Sequence, residues 1–245
     1  LLKFIFDVDG TLTPSRQKMD EEFSKFFFDF CTENKVYLVT GSDKDKTVEQ
    51  VGNVIYGLAR RAYNCSGADV YESSKNVRRS DWKLPHSAKT FLLDKLEESE
   101  FPLRTGLHIE ERPGMINFSV VGRNATMGER KLYAKYDTKH NERNIIADLF
   151  NKEFPYMKAT VGGETGLDIA PHGSDKSQIL SDFDKDDSIL FFGDRCDPAG
   201  NDFPIAEALK QNFKRSKIYH VNDWKETFRI LRDPRLTYNL EDSIL

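Results

Sequence analysis

Lys3 to Arg16 reads KFIFDVDGTLTPSR, and this stretch decides the fold. The apolar run Phe4-Ile5-Phe6 ends in Asp7-Val8-Asp9-Gly10-Thr11. Phe4, Ile5, Phe6 and Val8 suit a strand buried on both faces. A strand core cannot hold two bare carboxylates, so Asp7 and Asp9 are expected where the strand stops and solvent or ligand begins. Gly10 permits a tight turn over that end. In an open α/β sheet this C-terminal edge is where ligands bind. Residues i and i+2 share one side of a strand, so the two carboxylates repel each other, and a divalent cation bound by oxygens relieves the repulsion. Asp and Gly are also ordinary turn residues. What separates a site from a turn is the set of partner signals further along the chain.

Outward from this strand, Asp20-Glu21-Glu22 opens a helix, with Asp20 as cap and acids in the first turn. Phe23, Phe26, Phe27 and Phe30 follow helical spacing and are expected to pack in the core. Val36 to Val39 is a second buried strand ending in Thr40-Gly41-Ser42-Asp43. Val48, Val51, Ile55 and Leu58 mark one helix after it, and Ala62 to Cys65 a third strand. This β-α-β-α-β order implies a parallel sheet with right-handed crossovers. From about Gly67 to Gly163 the rhythm changes to short antiparallel pieces (68–71 and 77–82), a helix over 87–98, a hairpin turning at Pro113-Gly114, a helix over 142–154 and strands at 157–161 and 167–170. Ile116, Phe118 and Val120 alternate with Asn117, Ser119 and Val121, which predicts one half-exposed face. Near Pro171 the first rhythm returns: a helix from Ser174 to Leu180, a strand over 188–192 ending in Gly193-Asp194, a helix over 201–211, a strand over 216–221 and a helix over 223–232. The expected fold is α/β, a Rossmannoid core with a parallel sheet (1–75 and 171–245) and an inserted α+β domain with an antiparallel sheet (76–170).

The chain has 245 residues, with Lys+Arg 36, Asp+Glu 40 and a formal charge of -4. That balance argues against a general nucleic-acid binder but allows a local cationic pocket. Cys31, Cys65 and Cys196 are odd in number and scattered, which points to a reducing compartment, the cytoplasm, and away from a disulfide framework or a zinc site. No apolar run is long enough to span a membrane. The first residues are already strand one, so no signal peptide is expected, and without an initiator Met a short N-terminal piece is expected to be missing.

The strand and helix ends offer Asp7 and Asp9, Thr40 or Ser42, Lys176, and Asp194. Each meets one need of phosphoryl transfer. Asp7 would attack phosphorus, and Asp9 would protonate the leaving oxygen and then deprotonate the next acceptor. Thr40 or Ser42 would donate to a phosphoryl oxygen, and Lys176 would add a fixed positive charge. Asp194, with Asp7 and the backbone carbonyl of Asp9, would hold Mg²⁺, with Asn201 and Asp202 as supports. The spacing and order resemble motifs I to IV of the haloacid dehalogenase (HAD) superfamily, with the insert between motifs II and III as in a C2-type cap.

Arg112, Arg123 and Arg130 flank the insert's hairpin and its exit, and Arg16 follows the first loop. Guanidinium forks match phosphate oxygens, although arginines also decorate wet sheet faces. DVDGTLTPSRQ, ERPGMINFSVVGR with Glu129-Arg130, GGETGLDIAP with Asp175-Lys176, and FFGD with Gly200-Asn201-Asp202 look like the eukaryotic-type phosphomannomutases over nearly the whole chain. The resemblance implies interconversion of mannose 6-phosphate and mannose 1-phosphate, Mg²⁺, a hexose 1,6-bisphosphate activator or intermediate, and a homodimer formed through the caps. It implies that Arg16, Arg112, Arg123, Arg130 and Asp168 bind substrate, the cap arginines holding the phosphate that is not reacting, and that cap closure excludes water. Three departures stand out. Gly166 replaces the family serine two positions before Asp168, Thr40 replaces the first glycine of Gly-Gly-Ser-Asp, and Phe203 to Lys210 lacks the acid and threonine of the family's second cation site. Two rival readings stand beside the mutase: a sugar-phosphate phosphatase on the same fold, and a phospho-receiver module, which also joins acids, a Thr/Ser and a Lys on a doubly wound sheet. Receivers are about half this length and lack an arginine-bearing insert.

Overall fold

The apolar run at the N-terminus forms β1 (Leu2–Asp7), with Phe4 to Asp7 buried. The computed structural model describes residues 2–233 and Leu236. Residues 1, 234–235 and 237–245, taken in by the expected core ranges, lie outside the described residues. After β1 come α1 (Glu21–Glu33), β2 (Lys35–Val39), α2 (Lys44–Val51), α3 (Asn53–Leu58), β3 (Arg61–Asn64), β4 (Asp69–Glu72) and β5 (Lys75–Arg79). The insert contributes α4 (His86–Glu98), β6 (Ile109–Arg112), β7 (Met115–Phe118), α5 (Met127–His140), α6 (Glu142–Glu153), β8 (Met157–Gly162) and β9 (Gly166–Pro171). Then follow a 3-10 segment (Lys176–Asp182), β10 (Ser188–Gly193), α7 (Phe203–Asn212), β11 (Ser216–His220) and α8 (Trp224–Leu231).

The first sheet has seven strands in the order β11-β10-β1-β2-β3-β4-β5. From β11 to β3 neighbouring strands are parallel, with β1 between β10 and β2. Alternation along β1 sends Phe4 and Phe6 into one core and Ile5 into another, so both faces are covered. The phenylalanines of α1 meet the first of these, Phe27 lying edge-on to Phe6 with ring centroids 5.2 Å apart. Asp20 caps α1, accepting from Glu22 N at 3.0 Å and Phe23 N at 3.1 Å.

The single helix expected over Val48 to Leu58 is two helices. Gly52 sits between them at φ +83, a conformation open to glycine, and ends α2 one residue after Val51. By the expected boundary at 75/76 the piece at 77–82 falls in the insert, but a 3-10 turn (Cys65–Gly67) reverses the chain so that β4 pairs antiparallel with β3, and β5 with β4. The chain divides into one unit of Leu1–Arg79 with Gly173–Leu245 and another of Ser80–His172, four and two residues beyond the expected boundaries at 75/76 and 170/171. The expected helix over 174–180 is the 3-10 segment, capped by Asp175 accepting from Ser177 N at 2.8 Å.

The second unit holds a four-stranded antiparallel sheet in the order β6-β7-β9-β8. The face of β7 expected to be half exposed is buried as well. β7 is an inner strand, and two polar side chains of this segment donate inside the unit: Asn117 Nδ2 to Asp168 Oδ1 at 2.6 Å and Ser119 Oγ to the Thr165 carbonyl at 3.1 Å, while Asn117 Oδ1 is buried without a partner. Helix α5 was not expected, because its charged sequence blurs the apolar period. Its capping box, Thr126 with Glu129, is the local signal that marks it. Among the described residues no helix is long and apolar enough to cross a membrane.

Candidate active site

Three parallel strands end side by side at one edge of the first sheet. Asp7 is in register with Val39, so Thr40 follows one residue beyond it, and Phe6 is in register with Phe192, so Asp194 lies just past the end of β10. Asp7 is only 3% exposed. Its Oδ1 accepts from Lys176 Nζ at 2.5 Å and its Oδ2 from Thr11 Oγ1 at 3.4 Å. The same ammonium donates to Asp202 Oδ1 at 2.6 Å, while Asp202 Oδ2 accepts from Arg195 N at 3.1 Å. Oxygens of Asp7, Asp194 and Asp202 all lie within 4.8 Å of one another.

Three carboxylates around one ammonium leave two uncompensated negative charges in a buried place. Burial, reinforced by Asp202 and Asp194, pushes the Asp7 carboxyl well above its ordinary value despite Lys176. Burial and Asp202 also push Asp194 up. Burial works against the Lys176 ammonium, but Asp7 and Asp202 outweigh it and hold it above an ordinary lysine. Hard oxygen donors with two charges to neutralise fit a divalent cation such as Mg²⁺, and Asp7, Asp194 and Asp202 are the residues that could hold it. Asp202, expected as a support, is thus a member of the cluster itself. Asn201 is exposed in the turn before α7.

Asp9 is held differently, by neutral donors. Its Oδ1 accepts from Arg16 N at 2.7 Å and Gln50 Nε2 at 2.9 Å, and its Oδ2 from Ser42 Oγ at 3.4 Å. Thr40 is buried, and its Oγ1 accepts from Ser42 N at 3.1 Å, tying the two candidate hydroxyls into one loop. Arg16 is exposed with φ 58, and its backbone N–H is what it gives to this group. Gly10 closes the turn at φ +81, and a Cβ there would stand 2.3 Å from Asp194 Oδ2. Gly10→Ala is therefore expected to displace Asp194 and lower turnover about a hundredfold, the scale of a misplacement near 1 Å, as steady-state kinetics would record.

The insert's candidates lie in the second unit. Arg112 Nη2 and Arg123 Nε converge on one oxygen, Glu110 Oε2, at 2.8 and 2.7 Å. Burial acts against the Glu110 carboxylate, and the two guanidinium groups overcome it and lower its pKa. Arg130 Nε lies 3.6 Å from Glu164 Oε2. Asp168 is half-buried and accepts from Asn117. Gly166 is buried, and a Cβ there would lie 2.6 Å from Asn117 Nδ2, so the Asn117 amide fills the space a serine would need. Gln50, Thr11, Glu110 and Asn117 escaped the sequence reading. For Gln50 a signal existed, since it shares a helix face with buried Thr47 and Val51, and an amide at a core spacing needs a partner.

A family model described as eukaryotic phosphomannomutase matches residues 23–233. A phosphomannomutase from Saccharomyces cerevisiae is 35% identical over 211 residues, covering 82% of this chain and 83% of the relative. One from Drosophila melanogaster is 33% identical over 242 residues, covering 94% and 93%. Among solved structures, a haloacid dehalogenase-like hydrolase from Bacteroides thetaiotaomicron superposes with a TM-score of 0.56 at 12% identity, covering 94% of this chain and 98% of that one. That likeness shows a HAD-like fold.

Proposed function

The chain belongs to the eukaryotic phosphomannomutase family, and from that premise we propose that it interconverts mannose 6-phosphate and mannose 1-phosphate through an aspartyl phosphate on Asp7. The observation that supports this most is the buried group of Asp7, Asp194 and Asp202 around Lys176 at the sheet edge. Asp7 attacks the phosphorus of a hexose 1,6-bisphosphate, forming an O–P bond as the bond to the sugar oxygen breaks. Asp9 gives its proton to that oxygen and later takes one from the hydroxyl of a hexose monophosphate, which receives the phosphoryl group. Lys176 keeps Asp7 oriented with one oxygen engaged, and the Thr40–Ser42 loop donates to the phosphoryl oxygens. Asp7, Asp194 and Asp202 would hold Mg²⁺, which would supply positive charge to the oxygens on phosphorus. In the second unit, Arg112, Arg123 and Arg130 bind the phosphate that is not reacting, and Arg16 and Asp168 contact the substrate. The enzyme works in the cytoplasm as a homodimer formed through the insert, on a small sugar phosphate.

A sugar-phosphate phosphatase is the second reading, favoured by Thr40, whose hydroxyl stands where sugar phosphatases of this superfamily place one, and by the missing serine at Gly166. Water and a sugar hydroxyl compete for the same aspartyl phosphate. The test supplies mannose 1-phosphate, Mg²⁺ and a trace of hexose bisphosphate. Mannose 6-phosphate as the dominant product is the expected result. Steady release of inorganic phosphate would replace the mutase by the phosphatase, and an absence of turnover would favour a receiver-like role.

A further inference from the structure

We propose that Gln50 is a positioning residue for the acid/base step, fixing the Asp9 carboxylate between its two proton transfers. The inference rests on the reading of Asp9 given above.

Gln50 is 2% exposed, on the inward face of the last turn of α2. Its Nε2 donates twice, to Asp9 Oδ1 at 2.9 Å and to Thr13 Oγ1 at 3.1 Å. An ionised carboxylate only accepts, so the amide must turn its NH₂ toward Asp9. The other end of the amide, Oε1, is buried without a hydrogen-bond partner. An unpaired buried acceptor costs stability, so packing alone does not account for an amide at this core spacing. What the amide contributes is orientation. With Arg16 N, which shares Oδ1, and Ser42 Oγ on Oδ2, it holds both oxygens of Asp9.

The contrast with Asp7 gives this holding its chemical sense. Asp7 attacks phosphorus as an anion and exchanges no proton, and a buried ammonium 2.5 Å away suits that task. Asp9 must exchange a proton with a sugar oxygen in each half-reaction. Neutral donors aim its carboxylate without adding a charge that would tie the lone pairs to one partner. Gln50 also anchors the loop in which Asp9 sits. Met19 N donates to the Gln50 carbonyl at 2.8 Å, and Gly10 N to the Thr13 carbonyl at 2.9 Å, so backbone hydrogen bonds tie the end of α2 to the chain that follows the loop and Thr13 to the turn beside Asp9.

The test uses p-nitrophenyl phosphate with the full chain and Mg²⁺. Its leaving group departs without a proton, so the first turnover loads Asp7 without calling on Asp9. Discharge of the aspartyl phosphate, to sugar or to water, still requires Asp9 as base. Gln50→Leu and the near-isosteric Gln50→Glu, which replaces the donor by an acceptor, are compared with the native chain. The ratio of first-turnover to steady-state release of p-nitrophenolate is expected to rise at least tenfold in both variants. With hexose phosphate, kcat is expected to fall at least tenfold while KM stays within about threefold. An unchanged ratio, or first-turnover and steady-state rates that fall together, would overturn the positioning role and leave Gln50 a packing residue. If the native chain discharges to water and not to sugar, the mutase reading fails, while the ratio still decides on Gln50.

Discussion

Asp7→Asn is expected to lower turnover of hexose phosphate by at least about 10⁴-fold, the scale on which loss of a nucleophile is felt, and to leave a folded protein no less stable in metal-free buffer. Asparagine has the shape of aspartate, so the strand end keeps its packing, but a carboxamide forms no aspartyl phosphate. The stability half follows from the charges. Burial, Asp202 and Asp194 hold the Asp7 carboxyl above its ordinary 3.8. An acid raised in the folded state contributes stability that is fully present below its unfolded value and is lost as pH rises through the folded one. Once ionised, Asp7 is thus a liability that asparagine lacks. Lys176 loses one partner in the variant but keeps Asp202 at 2.6 Å. Melting curves between acid and neutral pH should show the native chain declining with rising pH more steeply than the variant. Residual turnover above about 1%, against the loss expected of a nucleophile, would reassign Asp7, and a markedly lower melting point would show the ion pair outweighing the repulsion.

Asp7, Asp9 and Asp194 were legible because each follows an apolar run buried on both faces, and such strands stop where charge begins. The aromatic stripe of α1 was legible for the same reason, since one period accounts for it. What escaped depends on contacts between distant segments. Nothing near Asp202 in the chain announces that its carboxylate meets Lys176, 26 residues earlier. The expected boundary at 75/76 cuts β5 away from the core because a short antiparallel strand reads alike at a sheet edge and in a separate unit, and only its pairing through β4 to β3 decides between them. Gly52 was a visible break in the helical pattern, yet Val51 and Ile55 continue the apolar spacing across it. The amide of Gln50 sat in plain view at a core position. Its partner Asp9, 41 residues away, could be found only once α2 was packed against the first loop.

Lys176→Met is expected to destabilise the first unit by about 3–5 kcal/mol, the range measured when one partner of a buried ion pair is removed. For a chain of this size that is a fall of roughly 6–20 °C in melting temperature. Lys176 is 1% exposed and is the ammonium between Asp7 and Asp202, so methionine leaves two buried carboxylates facing each other and Asp194 close by. Because its neighbours raise Lys176 above the ordinary 10.5, its contribution is fully present below that pH and fades as pH climbs through the raised value. In the variant the strain comes from ionised acids, so the gap to the native chain should narrow as pH falls and protons replace the missing charge. Mg²⁺ should narrow it too, since a cation held by the same carboxylates supplies neutralisation from the other side. The double variant Lys176→Met with Asp202→Asn isolates the cause. If repulsion between uncompensated carboxylates dominates, removing the second charge restores stability in part, and the two changes are non-additive by about 0.5–3 kcal/mol, as expected for groups in contact. If the effects simply add, the loss comes from methionine packing badly among the strand ends, and the charge balance drawn for this site is wrong.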